Sequence, residues 1–153
     1  MNFEHYLTDS SDGKVYSFTS TGVKGNIPKI IQYEKIKGWK INGKDVYNLG
    51  FGVLVQKPDG KKIVDDFFKT NNGDRTKILA TVGKTVIHFS EQYPDAVIFA
   101  SGNRPVKNRL YRMMISNSFE EISTSFFVYG RIKGKWESFN VLSNYDAFIV
   151  FRK

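Results

Sequence analysis

The chain has 153 residues, of which 41% are hydrophobic and 15% aromatic, a composition that suits one globular domain and excludes a disordered chain. It contains no cysteine, which excludes disulfides and thiolate chemistry, and no apolar run approaches the roughly 20 residues that span a bilayer. The formal charge of +8 favours acidic partners such as nucleic acid, a phosphorylated ligand or an acidic protein.

The first half of the chain is predicted to form strands. The candidates are residues 14–20, 29–41, 45–56 and 63–68. Asn42-Gly43 separates the second candidate from the third, and an Asn-Gly pair between such runs is the strongest short hairpin signal. Gly50 and Gly52 indicate a bulge or a bend in the returning strand. Turn residues over 57–62 separate it from the fourth.

The hydrophobic period then changes from that of a strand to that of a helix. Apolar side chains at helical spacing predict a helix over residues 74–93, and Pro94 lies just past its end. Residues 96–100 are wholly apolar, which is typical of a strand buried on both faces. A second helix is predicted over residues 105–117, with proline in its favoured first position.

The chain is predicted to close with three strands. These are residues 123–132, 135–140 and 147–153. Ser118 with Glu121 matches a capping box and predicts a short turn before them, and Lys133-Gly134 makes a hairpin. The helix–strand–helix portion implies a crossover. We therefore expect a single domain over residues 1–153 of α+β class. It should have one mixed, mostly antiparallel sheet of about six to eight strands, with two main helices packed on one face.

The segment FASGNRPVKNRLYRMMISN, residues 99–117, concentrates positive charge. No acid occurs between Asp95 and Glu120, and five of the six arginines follow Ala96. The segment reads as a strand, a turn and a helix, and in such a turn the first N–H groups and the positive helix end attract anions. Gly102 would let the backbone come close to a ligand.

A helical projection sorts this segment into faces. Val106, Leu110, Met113 and Met114 share the side expected to pack on the sheet. Arg104, Asn108 and Arg112 share the opposite side, Lys107 and Tyr111 form an adjacent row, and Arg109 lies on the other flank. Basic residues with an interleaved aromatic suit a phosphate backbone and a stacked base, whereas an ordinary solvated helix face is the alternative.

The strand predicted over residues 123–132 offers a second surface. Phe127, Tyr129 and Arg131 alternate on one face, and Phe126, Val128 and Ile132 lie mainly on the other. If the first face is open, it is an aromatic and arginine platform of the kind that single-stranded RNA binders use. If helices cover it, the aromatic side chains belong to the core.

The segment FASGNRPVKNRLYRMMI resembles the most recognisable part of an uncharacterised family of small bacterial proteins of about 150 residues. In that family a strand ends in glycine and a small polar residue, and a helix with arginine, leucine and tyrosine follows. The matching positions here are Ser101, Gly102, Asn103, Arg109, Leu110 and Tyr111. The resemblance implies that the turn and the helix are the functional part, and it implies no particular activity.

Binding of RNA or another phosphate-bearing ligand through the arginine-rich helix start is the expected function. The candidate site consists of Gly102, Asn103, Arg104, Lys107, Asn108, Arg109, Tyr111, Arg112 and Arg131. One alternative is a small metal-independent ribonuclease of the toxin–antitoxin kind, in which arginine, lysine and tyrosine stabilise charge and transfer protons. Another is an interaction domain for an acidic protein partner. Whether the protein is an enzyme stays open.

No metal or cofactor is expected. The two histidines, His5 and His88, have no partner histidine or cysteine at the spacing of metal ligands. The N-terminal residues lack the basic start and the apolar stretch of a signal peptide, so we expect a cytoplasmic protein without membrane association.

Overall fold

The computed structural model describes residues 4–56, 62–65, 72–102 and 105–153. Its strands are β1 (Val15–Gly22), β2 (Gly25–Ile41), β3 (Lys44–Gln56), β4 (Lys62–Asp65), β5 (Val97–Ala100), β6 (Phe126–Ile132), β7 (Lys135–Ser138) and β8 (Ala147–Arg152). Its helices are α1 (Arg75–Gln92), α2 (Pro105–Asn117) and α3 (Phe119–Ser125). Residues 57–61 of the predicted turn and 66–68 of the predicted fourth strand lie outside the described ranges.

The eight strands form one sheet in the order β1-β2-β3-β5-β8-β6-β7, with β4 paired to β3. Every ladder is antiparallel except that between β3 and β5, because α1 carries the chain from β3 and β4 back to β5 as a crossover. The predicted α+β class with a mixed, mostly antiparallel sheet is confirmed. No helix within the described ranges is both long and apolar enough to cross a membrane.

Two hairpins have the turns that their sequences predict. Asn42 and Gly43 have φ values of 51° and 78°, and Lys133 and Gly134 have φ values of 52° and 76°. Positive φ at both central residues is the type I′ geometry, whose twist matches that of the flanking strands. Both turns therefore fix the pairing of the strands on either side.

The irregularity in the β2–β3 hairpin is not where the glycines predict it. Gly50 and Gly52 pair in regular register with Gln32 and Ile30, so of the predicted bulge or bend the bulge is wrong. The register instead shifts between Lys35 and Lys40 of β2, next to Gly38 with a φ of 81°. This shift places Ile36, Trp39 and Ile41 over Val46, Val97 and Ile149.

Strand β3 changes partner along its length. It pairs with β5 over residues 46–48 and with β4 over residues 53–56. Both partners lie on the side away from β2, so in the described part of the chain residues 49–52 have no strand beside them on that side. The sheet therefore forks at Leu49.

The helices pack on one face of the sheet and bury the main core there. Along β1 and β2 the side chains alternate between the buried face, which the helices cover, and the exposed face. Tyr33 of β2 stacks on Phe89 of α1 with 4.2 Å between ring centroids. Leu110 of α2 belongs to the same core, and Ile122 of α3 packs against it. On the opposite face, the described residues form a smaller second cluster around Val46, Val97 and Ile149.

Helix α3 occupies the first three residues of the strand predicted over 123–132, so that boundary is wrong. Ser118 is its N-cap but makes no side-chain capping hydrogen bond, so the predicted capping box does not form. The hydroxyl groups of Ser123 and Thr124 donate hydrogen bonds to the Glu120 carbonyl oxygen at 3.2 and 3.0 Å. These bonds to the preceding turn support a helical conformation in a segment of low helix propensity.

Candidate nucleic-acid interface

The turn between β5 and α2 is held by two hydrogen bonds between Gly102 and Asn108. The Gly102 N–H donates to Asn108 Oδ1 at 2.8 Å, and Asn108 Nδ2 donates to the Gly102 carbonyl oxygen at 3.2 Å. The Gly102 N–H, which the sequence predicts to attract an anion, is therefore already used in a hydrogen bond within the turn. Asn108 does not present its amide group to a ligand, because that group fixes the turn.

Glycine is needed at position 102 for contact with the helix. A Cβ at this position would lie 2.6 Å from Lys107 Cβ and 3.2 Å from the Asn108 backbone nitrogen. A Cβ contact of 2.6 Å essentially never occurs in real proteins, so the close approach of α2 to the turn requires glycine at this position. The expectation that the glycine makes room for a ligand is thus replaced by a packing role.

Tyr111 lies in the core, which corrects its predicted place beside the basic helix face. Its side chain is 1% exposed, and its ring packs edge-on against Phe51 and Phe148. Burial raises the pKa of the Tyr111 phenol well above its ordinary value. The residue therefore cannot stack on a base at the surface, and it is not available to the predicted ribonuclease as a proton-transfer group.

Helix α2 is rotated relative to the predicted projection. Leu110, Tyr111 and Ile115 are its buried residues, whereas Val106 is 49% exposed. The buried side is thus shifted by about a quarter turn toward Tyr111. This rotation places Arg109 opposite the core, where it is exposed.

The remaining predicted site residues have different surroundings. Lys107 Nζ lies 5.4 Å from the centroid of the Phe51 ring, and Arg112 donates to the Ser143 carbonyl oxygen at 3.3 Å. Arg131 Nε donates to Asp146 Oδ1 at 2.9 Å. Asn103 and Arg104 lie outside the described residues.

Asp146 connects the turn after β5 to the end of β6. Its side chain pairs with Arg131, and its carbonyl oxygen accepts a hydrogen bond from Ser101 Oγ at 2.9 Å. Its own N–H donates to the Arg131 carbonyl oxygen at 2.9 Å. The structure therefore brings Arg131 and the strand-to-helix turn to the same end of the sheet, although they lie about 30 residues apart in sequence.

The sheet face opposite the helices carries a group of aromatic side chains. We call this surface the open face and define it by Phe99, Phe127, Tyr129, Arg131, Trp136 and Phe151. In β6, Phe126, Val128 and Gly130 are buried on the face that the helices and Tyr145 cover, so the alternating residues Phe127, Tyr129 and Arg131 lie on the other side. Phe127 is 43% exposed and Trp136 is 38% exposed. The face of Phe127, Tyr129 and Arg131 is therefore partly exposed to solvent and is not covered by the helices.

The rings of the open face form two contacting groups. Phe127 lies 5.3 Å from Phe151, and Tyr129 stacks on Phe151 at 6.0 Å with an interplanar angle of 9°. In the second group, Phe99 lies 5.1 Å from Trp39 and 6.4 Å from Trp136. Ala147 of β8, which pairs with Arg131, is fully buried.

Cations surround these rings. Lys153 Nζ lies 5.2 Å from the Phe127 ring centroid, and Lys44 Nζ lies 5.8 Å from that of Phe151. The Arg131 guanidinium lies 5.6 Å from the Trp136 ring. Aromatic faces with cations at this range form a surface that is both apolar and positive.

Part of this surface was missed from the sequence. Phe99, Phe151, Lys44 and Lys153 were not among the candidate site residues. The alternation of Ala147, Ile149, Phe151 and Lys153 along the last strand was the available signal. It shows which side chains share a face, but it does not show which face stays open. Within the described ranges no group of three potential metal ligands comes together.

One comparison with known proteins identifies a family. A family model described as a family of unknown function, DUF6934, matches residues 2–153. No curated protein and no solved structure matches the chain. The match covers the whole strand–turn–helix segment together with the open face. The chain therefore belongs to the family of unknown function DUF6934.

Proposed function

We propose that this protein binds single-stranded RNA, with bases stacked on the aromatic side chains of the open face and phosphates beside the surrounding cations. The observation that carries the proposal is the partial exposure of Phe127 and Trp136 on a sheet face opposite all three described helices. A large apolar side chain exposed on a sheet costs solvation free energy unless a ligand or partner covers it.

The chemistry of the open face fits a single strand better than a duplex. Unpaired bases present their flat faces to aromatic rings, and every base can stack, so such a surface needs no sequence-specific contacts. A duplex hides its base faces, which would leave only the cations to contribute. Arg131, Lys44 and Lys153 lie close enough to the rings to contact the phosphates that flank a stacked base.

The start of α2 supplies an adjoining contact in this proposal. Arg131 and the turn at Gly102 lie at the same end of the sheet through Asp146, and Arg109 is exposed on the outer side of α2. A strand of RNA that leaves the open face at Arg131 would reach the helix start. Arg109 then acts as a phosphate contact, as its long, bidentate side chain suits.

The test is fluorescence anisotropy of a labelled single-stranded RNA across a salt series. We expect an affinity that falls steeply with salt, and weaker binding to the same sequence as a duplex. Phe127→Ala should weaken binding by roughly 5- to 150-fold, because one stacked base contributes about 1–3 kcal/mol.

Val15→Ala is the matched control, since it removes a similarly exposed apolar side chain from β1, at the opposite edge of the sheet. It should leave the affinity unchanged. The proposal fails if the wild-type protein does not bind, or if both substitutions weaken binding equally. A wild-type protein that binds the duplex more tightly would also overturn it.

A further inference from the structure

An apolar cavity of about 250 Å³ lies in the helical layer, on the opposite side of the sheet from the open face. Its walls come from all three helices and from β3, β5, β6 and β8. Among the lining residues are Leu49, Val86, Ile98, Met114, Ile115 and Phe148. Native interiors contain few voids larger than a water molecule, so a space of this size is more than a packing defect.

Tyr111 lines this cavity and brings an unused polar group to it. Its hydroxyl oxygen is fully buried and has no hydrogen-bond partner within the described ranges. Burial also raises the pKa of the phenol, so the group keeps its proton and stays a donor. The described residues place no other polar atom within hydrogen-bond distance of this hydroxyl. A water molecule needs two to four polar partners, so a ligand that brings its own oxygen suits this position better.

The two ends of the cavity differ in character. Phe148, Val150 and Arg152 line it from alternate positions of β8, which spreads them over about 13 Å. The Tyr111 ring lies 6.1 Å from that of Phe148, at the apolar end. At the other end Arg152 Nε donates to Ser90 Oγ at 3.0 Å, and Arg152 Nη2 lies 3.8 Å from Glu91 Oε1.

The charged end is the mouth of the cavity. The Glu91 side chain is 60% exposed and that of Arg152 is 28% exposed. Because Arg152 is paired with Glu91, these two groups offer an anionic ligand no excess of positive charge, which favours a neutral molecule over a fatty acid or a phosphate ester.

The volume limits the size of the occupant. An apolar cavity of about 150 Å³ is sufficient to bind benzene, so about 250 Å³ corresponds in proportion to about ten non-hydrogen atoms. We propose that this cavity is a binding site for a neutral, mainly apolar small molecule whose single hydroxyl or carbonyl oxygen forms a hydrogen bond with the Tyr111 hydroxyl.

The experiment compares 2-naphthol with naphthalene, which differ by one hydroxyl group, using isothermal titration calorimetry on the full chain. We expect the wild-type protein to bind 2-naphthol about tenfold more tightly, because the probe satisfies a buried hydroxyl. Tyr111→Phe keeps the shape of the cavity and should bind both probes with the affinity that the wild type has for naphthalene.

Two further variants locate the site. Ile122 also lines the cavity, so Ile122→Trp should fill it and abolish binding of both probes. Val86→Phe serves the same purpose if the first variant does not fold. Phe127→Ala, on the open face, should leave both affinities unchanged. The proposal is overturned if the folded wild-type protein binds neither probe up to its solubility. It is equally overturned if the preference for 2-naphthol persists in Tyr111→Phe, or if the filled variants still bind.

Discussion

The ring of Tyr145 lies directly on Gly130, so closely that a Cβ at position 130 would overlap the ring atoms. Tyr145 is buried, and its hydroxyl donates to Glu137 Oε2 at 2.9 Å while it accepts from the Asn140 N–H at 2.9 Å. The ring therefore connects the segment between β7 and β8 to the middle of β6. This pair holds the edge of the sheet that carries Trp136.

Gly130→Ala should destabilise the protein by about 1–3 kcal/mol, because the buried ring is held at its hydroxyl end and cannot move aside cheaply. Urea denaturation measures the free energy of unfolding. Gly50→Ala is the matched control, since a Cβ there would have no neighbour nearer than 3.9 Å, and it should change stability by less than about 0.5 kcal/mol. Equal effects of the two substitutions would contradict the packing argument.

Tyr111→Phe should raise the free energy of unfolding by about 1 kcal/mol, because it removes a buried hydroxyl that has no partner within the described ranges. Tyr33→Phe should lower it by about 1 kcal/mol, because the Tyr33 hydroxyl is 2.8 Å from Thr85 Oγ1 and that hydrogen bond is lost. Thermal unfolding of the two variants checks this difference in sign. A loss of stability in Tyr111→Phe would show that its hydroxyl has a partner.

Stability should rise with pH between about 8 and 10. Lys29 is buried on the helical face, and desolvation lowers its pKa from 10.5 to about 8. Over this interval the unfolded chain still binds the proton that the folded protein has released, so increasing pH favours the folded state. Above pH 10 the effect reverses because of Tyr16, whose pKa burial raises to about 12. The unfolded chain then releases the tyrosine proton that the folded protein still holds, so stability should fall with increasing pH.

Lys29→Met provides the control for this pH dependence. The methionine keeps a long apolar side chain at the position but does not titrate, so the rise between pH 8 and 10 should disappear while the fall above pH 10 remains. Urea denaturation at each pH gives both curves. A rise of equal size in Lys29→Met would assign the effect to another group.

The salt dependence of RNA binding should identify the contacting cations. Lys44→Ala/Lys153→Ala removes two cations beside the open face and should make the slope of log affinity against log salt shallower by about 1.4, since each phosphate contact on a single strand contributes about 0.7. Lys24→Ala/Lys84→Ala removes the same charge elsewhere and should leave the slope unchanged. Equal changes in slope would indicate that binding depends on net charge alone.

Arg109→Ala tests whether RNA contacts the start of α2 as well as the open face. We expect the slope of log affinity against log salt to become shallower by about 0.7, because the exposed Arg109 side chain on the outer side of α2 would lose one phosphate contact. Its affinity for RNA should fall less than that of Phe127→Ala. An unchanged slope would confine the RNA contacts to the sheet.

The sequence predicts turns and helix ends well where residues next to one another in the chain determine the backbone conformation. The turns at Asn42-Gly43 and Lys133-Gly134 form because the residues there tolerate positive φ, and the bounds of α2 follow from proline at its first position. Helix α3 was missed at its C-terminal end because its serine and threonine residues have low helix propensity. Their hydroxyl groups bond to the preceding turn, which propensity alone does not show.

The candidate site was harder to predict because it depends on tertiary packing. The helical projection of α2 treats all apolar residues alike and therefore counts Val106 as buried. Val106 lies near the exposed start of the helix, so including it placed the predicted buried side too far from Tyr111. The alternation of Phe127, Tyr129 and Arg131 was visible, but the open side of the sheet is decided by where α1 and α2 pack.

Strand β5 has consequences for the order in which this chain folds. It has only four residues, yet it pairs with β3 through Val46 and Val97 and with β8 through Ile98 and Val150, partners about 50 residues away in each direction. The β1–β2–β3 meander and the β6–β7 hairpin are far more local and can form early. Strand β5 needs β3 of the meander and also β8, which itself pairs with β6. We therefore expect the loop-closure entropy of placing this short strand between its two distant partners to govern the folding rate.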